Sequence, residues 1–119
     1  MEWHIAAGRP VYIQLIEQLE LAIVTGEYPP GEKFPPVRTL AAQAQVNPNT
    51  MQRALAELES RGLFENQRTA GRIVTSDTDL IAKTRQTLAA SLARDFLAQT
   101  KALGLTREET LALLQQEES

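Results

Sequence analysis

Apolar positions fall into helical registers along most of this chain. Tyr12, Leu15, Ile16, Leu19, Ala22 and Ile23 recur at the i, i+3, i+4, i+7 spacing of one helix face. Pro10 suits the start of that helix, and Gly26 stands just past its end. Tyr28-Pro29-Pro30-Gly31 reads as a tight turn with Pro30 and Gly31 at its centre, and residues 32–35 leave room only for an extended stub. Val37, Leu40, Ala41 and Ala44 form the apolar face of a second, shorter helix from Pro36 to Gln45. Its small alanines allow another helix to approach closely. The third helix is marked by Asn47 as N-cap and Pro48 at the first helical position. It runs to Arg61, stops at Gly62, and buries Met51, Ala54, Leu55 and Leu58.

The gap between the second and third helices is short enough for a helix-turn-helix. After Gly62, Leu63–Gln67 and Arg72–Thr75 read as two strands around the loop Arg68-Thr69-Ala70-Gly71, a hairpin placed as a wing would be. Thr78 or Asp79 then opens a long helix reaching Ala102, with Ile81, Leu88, Leu92 and Phe96 along one side. Leu103-Gly104-Leu105 breaks it, and Thr106-Arg107-Glu108-Glu109 fits a capping box that starts a last short helix carrying Leu111, Leu113 and Leu114. The expected fold is mainly α with a small β-hairpin wing. A winged helix-turn-helix covers residues 1–76, and a two-helix tail covers residues 77–119.

Composition narrows the chemistry. The 119 residues are 43% hydrophobic and 23% charged, enough for one small folded domain with an appendage, and 5% aromatic content predicts an aliphatic core. The absence of cysteine excludes disulfides, thiolate metal sites and cysteine nucleophiles. Met1-Glu2-Trp3-His4 lacks the basic start and apolar run of a signal peptide, and no apolar stretch approaches the roughly 20 residues of a membrane span. The expected location is the cytoplasm, with no membrane partner. The one histidine, His4, lies in an N-terminal segment that reads as loose, and neither a phosphate-binding glycine loop nor a metal-spaced histidine–carboxylate cluster is present. Asp77 and Asp79 read as caps of the long helix rather than metal ligands. No enzyme activity, metal or cofactor is expected.

The net charge of −3 gives nucleic-acid binding no support, so the distribution matters. Between Glu32 and Arg72 six cations (Lys33, Arg38, Arg53, Arg61, Arg68, Arg72) face four anions (Glu32, Glu57, Glu59, Glu65). The acidity lies elsewhere, in the first helix and the tail. At about 100° per residue the third helix turns Asn49, Arg53, Ala56 and Ser60 away from its apolar stripe, with Thr50 and Gln52 on the flanks. No carboxylate interrupts this face before Glu57. Such a face suits base reading by the first half of a helix in a major groove: arginine forks onto guanine, an amide pairs with adenine, and alanine meets a thymine methyl. Asn49 and Arg53, with Ala56, are the expected base readers, and Thr50 and Gln52 the expected phosphate ligands. Arg38 stands in the first turn of the second helix, where the helix dipole disfavours a cation unless an anion such as phosphate joins it. Arg68 and Arg72 flank the wing tip and suit a DNA backbone or minor groove. The competing readings are an ordinary solvated polar face and a winged helix that binds protein, which the acidic total favours.

Residues 10–75 closely resemble the DNA-binding head of the GntR family of bacterial regulators. The resemblance rests on Pro10-Val11-Tyr12 with Gln14, Pro30-Gly31-Glu32-Lys33-Phe34-Pro35, Val37-Arg38-Thr39-Leu40-Ala41, Val46-Asn47-Pro48-Asn49-Thr50, Arg53-Ala54 and Leu58-Glu59-Ser60-Arg61-Gly62-Leu63. The Asn47–Thr50 run and the short tail resemble the YtrA-type subfamily. The resemblance implies a homodimer that binds a palindromic double-stranded DNA operator, usually as a repressor, and often near transporter operons. It places Arg38, Asn49, Thr50, Arg53 and Arg68 at or near DNA. With the reading of the residues, the candidate DNA-binding set is Arg38, Asn47, Asn49, Thr50, Gln52, Arg53, Arg68, Gly71 and Arg72. The tail is implied to dimerise, through Ile81, Leu88, Leu92, Phe96, Leu111 and Leu114. It has no room for a dedicated ligand domain, and a small-molecule effector at the dimer interface would be of unread identity. Two departures stand out: Pro36 replaces a frequent serine, and Thr69-Ala70-Gly71-Arg72 replaces the usual glycine-x-glycine-threonine of the wing.

Overall fold

The computed structural model describes residues 1–118, in the order α1 (Val11–Val24), α2 (Val37–Ala44), α3 (Pro48–Ser60), β1 (Phe64–Gln67), β2 (Gly71–Val74), α4 (Thr78–Ala102) and α5 (Arg107–Glu118). Two compact units divide the chain, residues 1–83 and residues 84 onward. The mainly helical fold with one hairpin agrees with the expectation from sequence. No helix of the described residues is long and apolar enough to cross a membrane.

The first unit is built on α3. Met51, Ala54, Leu55 and Leu58 are fully buried where α3 packs on α1 and α2. Asn47 caps α3 by accepting the Asn49 N–H at 2.7 Å, as Asn-Pro at this point predicts. Gln45 closes α2 in the left-handed region at φ 57°, a conformation that costs a non-glycine residue about 1–2 kcal/mol. Nothing in its residue type announces that turn.

The N-terminal segment, which reads as loose in sequence, is fastened to α1. Gln14 is buried, accepts the Ala6 N–H at 2.7 Å and donates to the Ala6 and Arg9 carbonyls at 2.9 and 3.0 Å. One turn on, Gln18 accepts the His4 N–H at 3.0 Å and donates to the His4 carbonyl at 2.7 Å. A glutamine amide offers the donor and acceptor of a peptide group, so the pair acts as a strand partner for residues 4 and 6. This bonding also makes a buried polar residue acceptable on a helix face that otherwise buries leucine and isoleucine.

The wing is the antiparallel pair β1–β2, in the register Phe64↔Val74, Glu65↔Ile73, Asn66↔Arg72 and Gln67↔Gly71. Gly71, at φ 75°, pairs within β2, so the connection is the three residues 68–70. A left-handed residue closing a three-residue loop suits the twist of a hairpin. The stub at residues 32–34 lies along the other edge of β2. Val74 N–H donates to Glu32 O at 2.9 Å, Phe34 N–H to Arg72 O at 2.8 Å, and Lys33 bridges Ile73. That edge is thereby covered. The core departs from the aliphatic expectation at the wing root. There Phe34 stacks at 4.4 Å on Tyr28 and 4.6 Å on Phe64, both tilted, so three of the few aromatics sit together.

Asp77 accepts the Leu80 N–H at 3.0 Å and so caps α4. Ile81, expected in the apolar stripe of the tail, is only 6% exposed in the single chain and falls within the first unit. It belongs to the packing of the head. In the second unit Leu88 is half-buried, whereas Leu92 (71% exposed), Phe96, Leu97, Leu103, Leu111, Leu113 and Leu114 are open. Thr100 and Thr110 are buried instead, their hydroxyls donating to the Leu97 and Thr106 carbonyls.

The capping box of α5 is formed on both sides. Thr106 N–H donates to Glu109 Oε1 at 2.9 Å, and Glu109 N–H donates to Thr106 Oγ1 at 3.1 Å. The backbone N–H of Thr106, then its side chain, hold the Glu109 carboxyl below the usual carboxylate range. A lowered folded-state pKa contributes stability that is complete above the ordinary range and disappears as pH falls through the lowered value. Circular dichroism across that acidic window should therefore show helix loss in the wild type, with a smaller pH-dependent component in Glu109→Gln. Equal acid sensitivity in the two proteins would contradict this.

Candidate nucleic-acid interface

The outward side of α3 is open along its first half. Asn49, Gln52, Arg53 and Ala56 are exposed and Thr50 is half-buried, while Glu57 and Glu59 begin only in the second half. The side-chain oxygen of Asn47 is engaged in the cap, which leaves its amide N–H groups to face outward partners. A helix start with amides, a hydroxyl and a guanidinium on its exposed side has the donors and acceptors that base edges require.

The tertiary structure sorts five of the six cations of residues 32–72 into two groups and sets Arg53 over an aromatic ring. Arg61 lies 3.1 Å from Glu57 and 3.2 Å from the nearly buried Glu20 of α1, so its charge closes the end of the α1–α3 packing. Arg72, expected to face DNA, is turned back onto α3: its side chain is 16% exposed and Nε is 3.4 Å from Glu59 Oε1. Both of those atoms are buried without an aligned hydrogen bond, so the attraction is one of charge. A longer hydrogen bond, 3.5 Å from Nη1 to Gln52 Oε1, ties the same guanidinium to Gln52. The departure of this wing from the glycine-threonine pattern thus provides a strut between β2 and α3.

Lys33, Arg38 and Arg68 form the second group. All three are exposed, with no carboxylate at ion-pair distance among the described residues. Arg53 is also exposed, and its guanidinium carbon stands 4.6 Å above the ring of Tyr12. Arg38 lies in the first turn of α2, whose N-cap residue Pro36 supplies no side-chain hydrogen bond. The first-turn N–H groups there point out of the helix end and, with Arg38, suit an anion. An open cleft of about 280 Å³, lined by Lys33, Pro36, Val37, Asn66, Thr69 and Ala70, separates this helix start from the wing.

The α2 start borders the wing loop across this cleft, the wing touches α3 through Arg72 and Gln52, and the candidate residues Arg38, Asn49, Gln52, Arg53, Arg68 and Gly71 are exposed. Three participants carried no signal of their contacts in the sequence, although all three fall in the segments of the family resemblance: Tyr12 also reads as part of an apolar stripe, Glu59 as one of four anions, and Lys33 as one of six cations. Their roles depend on which elements pack together.

The family of bacterial regulatory proteins named for gntR matches residues 11–74. The chain is similar to the uncharacterized HTH-type transcriptional regulator YhcF of Bacillus subtilis, 35% identical over 111 residues, covering 93% of this chain and 92% of that protein. Among solved structures, a GntR family transcriptional regulator from Listeria monocytogenes superposes with a TM-score of 0.89 at 33% identity, covering 94% of this chain and 98% of that one. The AraR DNA-binding domain in complex with operator ORX1 gives a TM-score of 0.57 at 26% identity, covering 63% of this chain and 99% of that one. The chain belongs to the GntR family and is a DNA-binding transcription regulator whose head is a winged helix-turn-helix.

Proposed function

We propose that the protein is a cytoplasmic repressor that binds a palindromic operator as a homodimer. The observation that carries this reading is the uninterrupted outward face Asn49–Arg53 of α3, flanked by Arg38, Lys33 and Arg68 without carboxylate partners. In the proposed complex α3 enters the major groove. Asn49 and Arg53 read base edges, Ala56 meets a thymine methyl, and Thr50, Gln52 and the remaining Asn47 amide approach the backbone. Arg38 and the α2 start hold a phosphate, and Arg68 with the wing loop at Gly71 follows the neighbouring strand. Arg72 is left out of the direct contacts because Glu59 and Gln52 already engage it.

The open leucines of the tail support the two-fold arrangement. A unit of about two helices has too little interior to cover Leu92, Leu111 and Leu114 by itself, and a second copy buries them. The 77–119 tail is accordingly assigned to dimerisation from residue 84 onward, through Leu88, Leu92, Phe96, Leu111 and Leu114, with Ile81 left to the head. A transporter operon is the proposed target, on the YtrA-like resemblance alone. If a small apolar effector acts on the protein, the open groove of about 390 Å³ where α4 meets α5, lined by Leu97, Thr100 and Leu105, has the volume for it.

Selection of genomic DNA fragments by the purified protein should return one sequence with inverted half-sites spaced by about one helical turn of DNA or a multiple. On that operator, Arg53→Ala should cost about 1–3 kcal/mol and relax preference at one base pair. Arg38→Ala should weaken all sequences alike and reduce the salt dependence by about one phosphate contact. Folded variants that bind every duplex as the wild type does would refute the site assignment.

A further inference from the structure

Three arginines lie on or against α3, and they are held in different ways. Arg61 donates to the Glu57 carboxylate and pairs with Glu20, while Arg72 lies against the Glu59 carboxylate and donates to Gln52, so the edges of both guanidiniums face protein partners. Arg53 instead lies with its guanidinium over the face of Tyr12, at 4.6 Å from the centroid. The difference matters for recognition. A carboxylate takes the edge of the guanidinium, where the donors are, whereas an aromatic ring takes its face. Arg53 is therefore held and still has its donor edge available, the edge that guanine O6 and N7 would meet.

We propose that Tyr12 is a specificity-determining positioning residue: its ring, presented by the start of α1, sets the direction in which Arg53 offers its edge to a base. This rests on the reading of Arg53 as a base reader. Tyr12 is the second residue of α1, two residues after Pro10 and two residues before the buried Gln14 that fastens the N-terminal segment. The ring is thus carried by a rigid element that packs on α3. An arginine ordered before DNA arrives loses less rotamer freedom when it binds. Because the ring adds no charge, the effect falls on discrimination between sequences and not on general attraction to phosphate.

The test compares an operator duplex, selected from random DNA by the wild-type protein, with a shuffled duplex of the same composition. The readout is the ratio of the two affinities. Tyr12→Leu should lower the ratio about two- to fivefold, the span of an exposed cation–π contact, with shuffled-duplex binding unchanged. Tyr12→Phe should keep the ratio. Phenylalanines with one, two and three ring fluorines at position 12 keep the shape while weakening the ring's negative face, and should lower the ratio stepwise at constant melting temperature. In an Arg53→Ala background, Tyr12→Leu should have no further effect. A ratio indifferent to fluorination, or one that rises in Tyr12→Leu because the ring holds Arg53 away from the groove, would overturn the proposal even where Arg53→Ala lowers it. If Arg53→Ala itself leaves the ratio unchanged, the base-reading assignment fails and this proposal fails with it.

Discussion

A Phe96→Asp protein should run as a monomer at micromolar concentration in light scattering and bind operator DNA about a hundredfold or more weakly. Phe96 lies in the same helix as Leu92, and both are open in the single chain along with Leu111, Leu113 and Leu114. If a second copy covers this surface, a carboxylate at position 96 must be desolvated without a partner, which an interface of this size would not withstand. The head is a separate compact unit ending at Lys83, so its melting should change little. Each monomer would still recognise a half-site, but the second half-site would no longer bind as an intramolecular step. The salt dependence should accordingly fall to about that of one head. A variant that stays dimeric and binds the full operator normally would remove the tail from the interface.

Leu55→Ala should destabilise the head by about 2–5 kcal/mol, the range for leucine truncation in a rigid core. Leu55 is fully buried on the inward side of α3, where that helix meets α1 and α2. Its removal leaves a cavity that three helices meeting there fill only in part. Since small domains carry about 5–15 kcal/mol in total, the melting temperature should drop by about 10 °C or more. Ala56, one residue on, is exposed. Ala56→Ser should stay within about 0.5 kcal/mol of wild type, so adjacent positions should differ sharply in calorimetry. Comparable effects at the two sites would mean that α3 is rotated from the orientation described.

Much of the secondary structure was legible because its signals are local. Asn47-Pro48 marks the start of α3 by capping chemistry, Thr106 and Glu109 mark the start of α5, and the apolar spacing of Met51, Ala54, Leu55 and Leu58 assigns the buried side. The same spacing assigns the outward side by exclusion, which is why Asn49 and Arg53 could be named from residues alone. Ile81 shows where periodicity stops being informative. It belongs to the stripe of α4, but the stripe does not say which neighbour covers each member, and the single chain already buries Ile81 while leaving Leu92 open.

Residue type and order along this chain were enough to specify the helices, the hairpin, their caps and the chemistry of one exposed face, since each depends on residues within a turn or two of one another. The use made of each charge and amide was not specified in that way. Arg61, Arg72 and Arg53 look alike in sequence, yet one closes against Glu20, one braces the wing against Glu59, and one lies open over Tyr12. Gln14 and Gln18 look like surface glutamines until the N-terminal segment lies against them. These partners are 5 to 41 residues apart in the chain, and what pairs them is the packing of the N-terminal segment, α1, α3 and the wing, which no local spacing encodes.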